Sequence, residues 1–381
     1  MAGEPSGDVL GARLMAALKR RTGGRVRFAG VGGTAMAAEG LESLFPMAEI
    51  SVMGLAEVLP RVSAVLRRVR ETAADVVRHR PDAVVSIDAP GFTFRVQQRL
   101  GANCPVSRIH YVAPTVWAWK PWRAKKAAAL LDHLLVLLPF EPPLFERHGL
   151  TTSFVGHPVI ESGADAGDGP GFRARHGIAA DAPLLCLLPG SRAGEVKRML
   201  PVMAGAVAGL AGRFPGLALA LPTVPAVAGL VRDTVARWPL APAVVETDRE
   251  KYDAMAAANA AMAASGTVSL ELALAGTPTV IGYRMNALTW RVVKSMVRVQ
   301  FASIVNLLLE REAVPELLQD ACTPARMAEA IARLIEEPAA AEAQRAACRK
   351  AMAMLRDPDM SPSDRAASVV LGCLRDDDGS A

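Results

Sequence analysis

Aromatic residues are scarce, at 5% of 381 positions, and cysteine is scarcer still, with Cys104, Cys186, Cys322, Cys348 and Cys373 scattered and no CxxC pair. An odd, unclustered set of thiols excludes a disulfide framework and a zinc site and suits a reducing compartment. No apolar run reaches the roughly 18 residues that a membrane span needs; the nearest are broken by Asp132 and His133 or by Pro222 and Pro225. The opening Met1-Ala2-Gly3-Glu4-Pro5 lacks a basic segment followed by an apolar one, so no secretory signal is expected. Lys+Arg at 43 against Asp+Glu at 38 leaves a formal charge of +5. That excess is too mild for a dedicated nucleic-acid binder, although it permits anionic ligands or an anionic membrane surface. The sequence also lacks a Walker lysine motif, a nucleophile elbow and a metal-ligand cluster, and Gly30-Val31-Gly32-Gly33 has the wrong spacing for a GxGxxG fingerprint. The chemistry is therefore expected to need no covalent nucleophile and no structural metal, and no cofactor is expected.

What is present is a globular α/β chain. Hydrophobic residues make up 51% and charged residues 21%, which excludes a mostly disordered protein. The length exceeds the roughly 250–300 residues at which single cores stop growing, so two domains are expected. Short apolar runs at 83–87, 107–112, 134–138, 184–188, 217–221 and 279–282 read as strands. Helical patterns intervene at 62–78, 123–130, 200–214 and 324–336. Such alternation implies parallel sheets covered by helices, with ligands at the carboxyl ends of the strands. A Gly/Ala/Asp-rich stretch suggests a domain over 1–162, a linker over 163–171, a second domain over 172–350, and a C-terminal helix and tail over 351–381.

The residues just after the strands carry the candidate chemistry. Leu188-Pro189-Gly190-Ser191-Arg192 leaves a strand and enters a helix. Gly190 lets a phosphate approach the backbone, the helix start at Ser191 offers N–H groups, and Arg192 adds a bidentate charge; a plain turn with a surface arginine is the bland alternative. Ser265-Gly266-Thr267 precedes another helix, with Glu271 one turn beyond Thr267. That spacing suits a diphosphate on the turn and a ribose diol on the carboxylate, or equally an N-cap with a solvated glutamate. Asp88 ends a strand before Pro90-Gly91, where partial desolvation would make it a general base, unless it is merely a turn aspartate. Glu4, Ser6 and Gly7 lie in a Gly/Ser loop entering a helix at Val9–Arg20, for which Asp8 is the expected N-cap. Trp117, Trp119 and Trp122 beside Lys120 and Arg123 would line a sugar or lipid site, or plug a domain interface. His110 and His157 read as structural. Val52, Met53, Leu55, Val58, Leu59, Val62, Val65 and Leu66 recur at helical intervals among Arg61, Arg67, Arg68 and Arg70. This pattern fits a basic amphipathic helix on a membrane, or an ordinary helix packed on a sheet.

Taken in order, AGEPSGD (2–8), VMGLAEVL (52–59), IDAPGF (87–92), HYVAPTVWAWK (110–120), LPFE (138–141), VGHPVIE (155–161), LPGSRAGEV (188–196), SGTVSLE (265–271), GYRM (282–285) and NLLLEREAVPELLQ (306–319) resemble the lipid-A-disaccharide synthase family over nearly the whole chain. The resemblance implies a metal-independent inverting glycosyltransferase of GT-B architecture, with two Rossmann-like domains facing across a cleft. The first would be the acceptor and membrane-facing domain and the second the UDP-sugar domain. Its reaction would join UDP-2,3-diacylglucosamine to 2,3-diacylglucosamine 1-phosphate (lipid X), giving lipid A disaccharide 1-phosphate and UDP. The setting would be the cytoplasmic face of the inner membrane in Gram-negative bacteria, in homodimers with exchanged C-terminal parts.

On that resemblance Asp88 deprotonates the acceptor, while Arg192 and the amides at Gly190, Ser191, Ser265, Gly266 and Thr267 hold the UDP. Glu271 takes the ribose, Tyr283, Arg284 and Met285 flank the uracil, and Asn306 joins Glu4, Ser6 and Gly7 in the cleft. The stripe at 52–66 would meet acyl chains or the bilayer. Another GT-B N-acetylglucosaminyltransferase or epimerase, and a non-catalytic nucleotide-sugar-binding module, are the competing readings. The family carries an apolar strand ahead of the AGEPSGD loop, so in-frame codons for one are expected upstream of Met1.

Overall fold

The structure, a computed structural model, describes residues 1–51, 55–101, 104–286, 290–291 and 299–375, with the backbone alone at 55–61 and 375. It falls into two compact units: Met1–Pro158 with Leu355–Ala381, and Val159–Met354. The stretch at 163–171, expected as a linker, lies inside the second unit. There Asp168 caps a helix by accepting from the Gly171 N–H at 2.8 Å. A Cβ at Gly167 would stand 2.2 Å from the Tyr252 carbonyl oxygen, and one at Gly169 would stand 2.8 Å from that of Ala256. These glycines serve close backbone approach rather than flexibility.

In the first unit, β1 (Ala83–Ile87), β2 (Ser107–Tyr111), β3 (His133–Val136) and β4 (Thr151–Phe154) form a parallel sheet in that order. Beyond β1, Ala2 bridges parallel to Ile87 and donates its N–H to the Val31 carbonyl at 2.8 Å. The helices are α1 (Pro5–Thr22), α2 (Thr34–Ala38), α3 (Leu55–His79), α4 (Pro90–Leu100), α5 (Arg123–Ala128) and α6 (Pro142–Glu146). α1 presents Leu10, Leu14, Ala17 and Leu18 to Ile87, Ile109, Tyr111 and Leu135 on the sheet.

Asp8 does not have the role its position suggests. α1 starts at Pro5, where the missing proline N–H would have had no helical partner, so Asp8 lies inside the first turn. Its buried carboxylate reaches across to α2 and accepts from the N–H groups of Gly33 (2.7 Å), Ala35 (2.9 Å) and Met36 (3.1 Å). A Cβ at Gly33 would stand 2.6 Å from Asp8 Oδ2, and one at Gly32 would stand 2.7 Å from Leu41. The Gly30–Gly33 run is therefore packing chemistry, and it pins the N-terminal turn of α1 in place.

In the second unit, six parallel strands run in the order β10-β9-β8-β5-β6-β7. They are β5 (Leu184–Leu188), β6 (Ala218–Pro222), β7 (Ala243–Val245), β8 (Ala260–Ala264), β9 (Thr279–Tyr283) and β10 (Glu316–Leu318). Around them lie α7 (Gly169–Arg175), α8 (Ala193–Arg213), α9 (Pro225–Val235), α10 (Asp248–Ala257), α11 (Val268–Ala275), α12 (Ile304–Leu309), α13 (Pro324–Glu336) and α14 (Pro338–Met354). From β5 the chain moves out to β6 and β7, then returns to the other edge of β5 as β8, with Leu188 in register with Ala263. Adjacent connections thus diverge between β5 and β8, which is the topological switch point of a doubly wound sheet.

The last helix, α15 (Pro362–Arg375), belongs to the first unit. Its Ala366, Ala367 and Val370 pack in the α1 core, and Asp364 pairs with Arg20 at 2.9 Å. Among the described residues, no helix is long and apolar enough to cross a membrane.

Removing the cap on α2 tests how the first turn of α1 is held. Asp8→Ala should cost about 3 kcal/mol, because three amide donors lose their carboxylate partner. Urea unfolding followed by circular dichroism measures this, and a loss below about 1 kcal/mol would show that the amides find other partners.

Candidate active site

The two candidate turns of the second unit lie side by side. Gly190 follows β5 with φ +110°, and Thr267 follows β8 as the N-cap of α11. Because β5 and β8 are hydrogen-bonded neighbours, the turns at 189–192 and 265–267 occupy adjacent strand ends at the switch point. α8 begins at Ala193, immediately after Arg192, so both helix N-termini open at this edge. Ser191, Arg192, Gly266 and Thr267 are exposed, and Ser265 donates to the Ala302 carbonyl at 3.2 Å. Tyr283, Arg284 and Met285 leave the end of β9, the next strand over. There the Arg284 carbonyl accepts from Arg198 Nε at 2.8 Å and the Met285 N–H donates to Gln319 Oε1 at 3.4 Å.

The sequence reading passed over Glu195. Its carboxylate accepts from Arg192 Nη1 at 3.1 Å, and a Cβ at Gly190 would stand 2.7 Å from Glu195 Oε2. The spacing of three residues along α8 was the available signal. Burial and the Glu195 charge together push the Tyr283 phenol above its ordinary pKa.

Two expected ligand groups are otherwise engaged. Asn306 is fully buried and spends its amide inside the protein. Nδ2 donates to the Val314 carbonyl and to Glu316 Oε1, both at 2.7 Å, and Oδ1 accepts from the Ala313 and Val314 N–H groups at 2.8 and 2.9 Å. It therefore builds the 306–316 turn rather than presenting a group to a ligand. Glu271 accepts on Oε1 from Lys251 Nζ (3.1 Å) and Tyr252 Oη (3.2 Å) of α10. Burial works against the Lys251 charge, but Glu271 and Asp248 outweigh it and hold the lysine pKa up. Glu271 thus enters any ribose contact already oriented from behind.

The first unit gathers its candidates at its own strand ends. Asp88 follows β1, is half-buried, and adopts φ +47°, with Ala89 at +45° and Val112, after β2, at +79°. Left-handed backbone at alanine and at a β-branched valine is strained and is held only by its surroundings. The Asp88 N–H donates to the Tyr111 carbonyl at 2.9 Å, and Thr93 Oγ1 donates to the Asp88 carbonyl at 2.9 Å. Burial raises the Asp88 pKa above its ordinary value, against a smaller opposing pull from the Ala89 N–H. The start of α1, with Glu4 as N-cap and Ser6 and Gly7 in its first turn rather than in a loop, lies beside this turn: a Cβ at Gly3 would stand 2.7 Å from Ala89 Cβ, and one at Gly7 would stand 3.5 Å from the Ile87 carbonyl. His110 is structural, as expected. It is buried, hydrogen-bonded to Ser86 Oγ at 2.8 Å, and held neutral by burial, which pushes its pKa down to about 3.

The apolar stripe is only partly accounted for. Val52 and Met53 lie outside the described residues, as do the side chains of Leu55, Val58 and Leu59. Val62 and Leu66 are half-buried, whereas Val65 packs on the core formed by Phe45, Val69, Phe92 and Val96. Arg68 pairs with Glu49 (2.8 Å) and Glu71 (2.6 Å) and lies 4.5 Å over the Phe45 ring. Val65 and Arg68 thus make contacts inside the unit.

A family model described as Lipid-A-disaccharide synthetase matches residues 1–370. The chain belongs to the lipid-A-disaccharide synthetase family. The Lipid-A-disaccharide synthase of Rhodospirillum centenum is 54% identical over 377 residues, which is 98% of this chain and 94% of the relative. That of Paramagnetospirillum magneticum is 52% identical over 378 residues, 98% of this chain and 97% of the relative. Among solved structures, the S. aureus MnaA-UDP co-structure matches with a TM-score of 0.67 at 12% identity, covering 97% of this chain and 93% of that one. Acinetobacter baumannii MurG matches with a TM-score of 0.59 at 14% identity, covering 98% of each. These likenesses fix the fold as GT-B.

Two motifs that carry the family resemblance meet in the structure. Glu141 of LPFE is buried and accepts from Trp117 Nε1 (3.0 Å) and from the Leu137 and Leu138 N–H groups (3.2 and 3.0 Å). Burial outweighs these bonds and raises its pKa to about 7. A carboxyl protonated in the folded state but ionised in the unfolded one stabilises the fold below its unfolded pKa, near 4.5, and that stabilisation drains away as pH rises to about 7. Wild type should therefore lose roughly 3 kcal/mol between pH 4.5 and 7 that Glu141→Gln does not lose. Paired urea melts across that range measure the difference, and parallel profiles would place the titration elsewhere.

Proposed function

We propose that the chain is an inverting glycosyltransferase. It transfers the diacylglucosamine of UDP-2,3-diacylglucosamine to the 6-hydroxyl of 2,3-diacylglucosamine 1-phosphate, giving lipid A disaccharide 1-phosphate and UDP. The observation that carries this reading is the pair of adjacent turns at 189–192 and 265–267, both opening onto helix N-termini, in a chain of this family.

The second unit acts on the donor. As the anomeric carbon–oxygen bond breaks, charge gathers on the departing diphosphate. Arg192 and the amides at Gly190, Ser191 and 265–267 are preorganised to receive it, each such donor contributing on the order of 3 kcal/mol in the transition state. Arg192 must exchange Glu195 for the phosphate, so Glu195 holds the guanidinium at the turn until the nucleotide arrives. Glu271 takes the ribose hydroxyls, and Tyr283–Met285 flank the base.

The first unit acts on the acceptor. Asp88 accepts the hydroxyl proton as the new carbon–oxygen bond forms on the opposite face of the sugar, then returns it to water. Its raised pKa makes it a stronger base than an ordinary aspartate, and turnover should fall as pH drops through that value. Glu4, Ser6 and Gly7 line the same strand end. The reading also carries peripheral membrane association and a homodimer, in which residues 355–375, seated here on α1, are the exchanged part. An epimerase would use the same turns of the second unit, but the curated relatives at 54% and 52% identity favour the synthase.

Two variants separate the halves of the mechanism. Asp88→Asn should lower turnover at least about 100-fold while calorimetric UDP affinity stays within twofold. Turnover that survives would remove Asp88 from the reaction. Arg192→Ala should weaken UDP binding about tenfold or more, the scale of a lost charge-assisted pair, and unchanged affinity would refute the phosphate assignment. Product is read by mass spectrometry with both diacylated substrates.

A further inference from the structure

The loop between β2 and α5 exposes tryptophan where a soluble surface seldom does. Trp122 is 60% exposed and Trp119 37%, and these are the only aromatics among the exposed large hydrophobics of the described residues. Trp119 is not a stray side chain: Nε1 donates to Thr115 Oγ1 at 3.0 Å, Lys120 Nζ lies 4.3 Å over its ring, and the Arg123 guanidinium lies 5.5 Å from it and 5.9 Å from the Trp122 ring. Below it, Trp117 is fastened to Glu141. Lys125 and Lys126 continue the positive charge along exposed α5, and no acidic residue occurs from His110 to Leu131. α6, packed against α5, adds Glu146 and Arg147, which cancel.

We infer that this Trp119–Lys126 loop is an interfacial anchor that seats the first unit on an anionic phospholipid bilayer. Indole rings favour the headgroup boundary, where the apolar body is buried and the N–H stays wet. Lysine and arginine stems lie along apolar surface while their heads meet lipid phosphate. The charge complementarity commits the surface to an anionic bilayer rather than to a neutral apolar partner. The biological setting rests on the proposed lipid substrates, but the contact itself needs none of them.

The test uses the full chain and substrate-free vesicles of phosphatidylethanolamine and phosphatidylglycerol, with phosphatidylcholine vesicles as the neutral control. Sedimentation should show binding to the anionic vesicles that falls with added salt, and a blue shift of tryptophan emission. Trp119→Ser with Trp122→Ser should reduce partitioning at least about tenfold, and Lys125→Glu with Lys126→Glu should abolish the preference for anionic lipid. These positions are exposed, and a melting temperature within about 2 °C of wild type confirms folding. Undiminished binding by the tryptophan variant overturns the proposal, as does equal binding to phosphatidylcholine. So does a change in oligomeric state in place of lost vesicle binding, because the loop would then face a second copy. Sugar transfer in detergent micelles tests the enzymatic reading separately: failure there with intact vesicle binding sinks that reading and leaves the anchor standing.

Discussion

A parallel strand must end with its backbone handed to a turn, and where neighbouring connections diverge nothing covers that end. This constraint organises both units. In the second, β5 and β8 are adjacent in the sheet but far apart in sequence, and their connections leave in opposite directions. The exposure of the turns at 190–192 and 266–267 is therefore a consequence of strand order, which brings two helix N-termini to one edge of the sheet. In the first, Ala2 and β1 meet in the same manner, placing the start of α1 beside the strained turn at Asp88.

Burial decides what the acidic groups do. Asp8, Asp88, Glu141 and Glu271 all lie near these strand ends, yet they have different partners. Asp8 takes three amides and becomes a fastener. Glu141 takes two amides and an indole, but its desolvation is severe enough to bring its titration to about 7. Glu271 is held from behind by a lysine and a tyrosine. Of the four, Asp88 is the half-buried carboxyl whose shift comes mainly from desolvation, which is the setting a general base needs.

Several elements could not be read locally. β8 is Ala-Ala-Met-Ala-Ala, poor in strand formers, and it is a strand because β5 and β9 clamp both of its edges. The glycines at 167 and 169 look like a flexible joint but mark where two backbones touch. Asn306 sits in a motif shared with the family, and its engagement with Val314 and Glu316 is invisible without the turn that brings them together.

Local composition and spacing were enough for the α/β class, the two-domain size, most strands with continuous apolar runs, and the turns that carry Asp88, Gly190 and Ser265. The assembled fold alone shows that the turns at 190 and 265 are neighbours, that Asp8 serves α2 and not its own helix, and that the C-terminal helix returns to α1. Each of those depends on contacts between residues distant in the chain, where strand order and packing rather than local preference choose the partner.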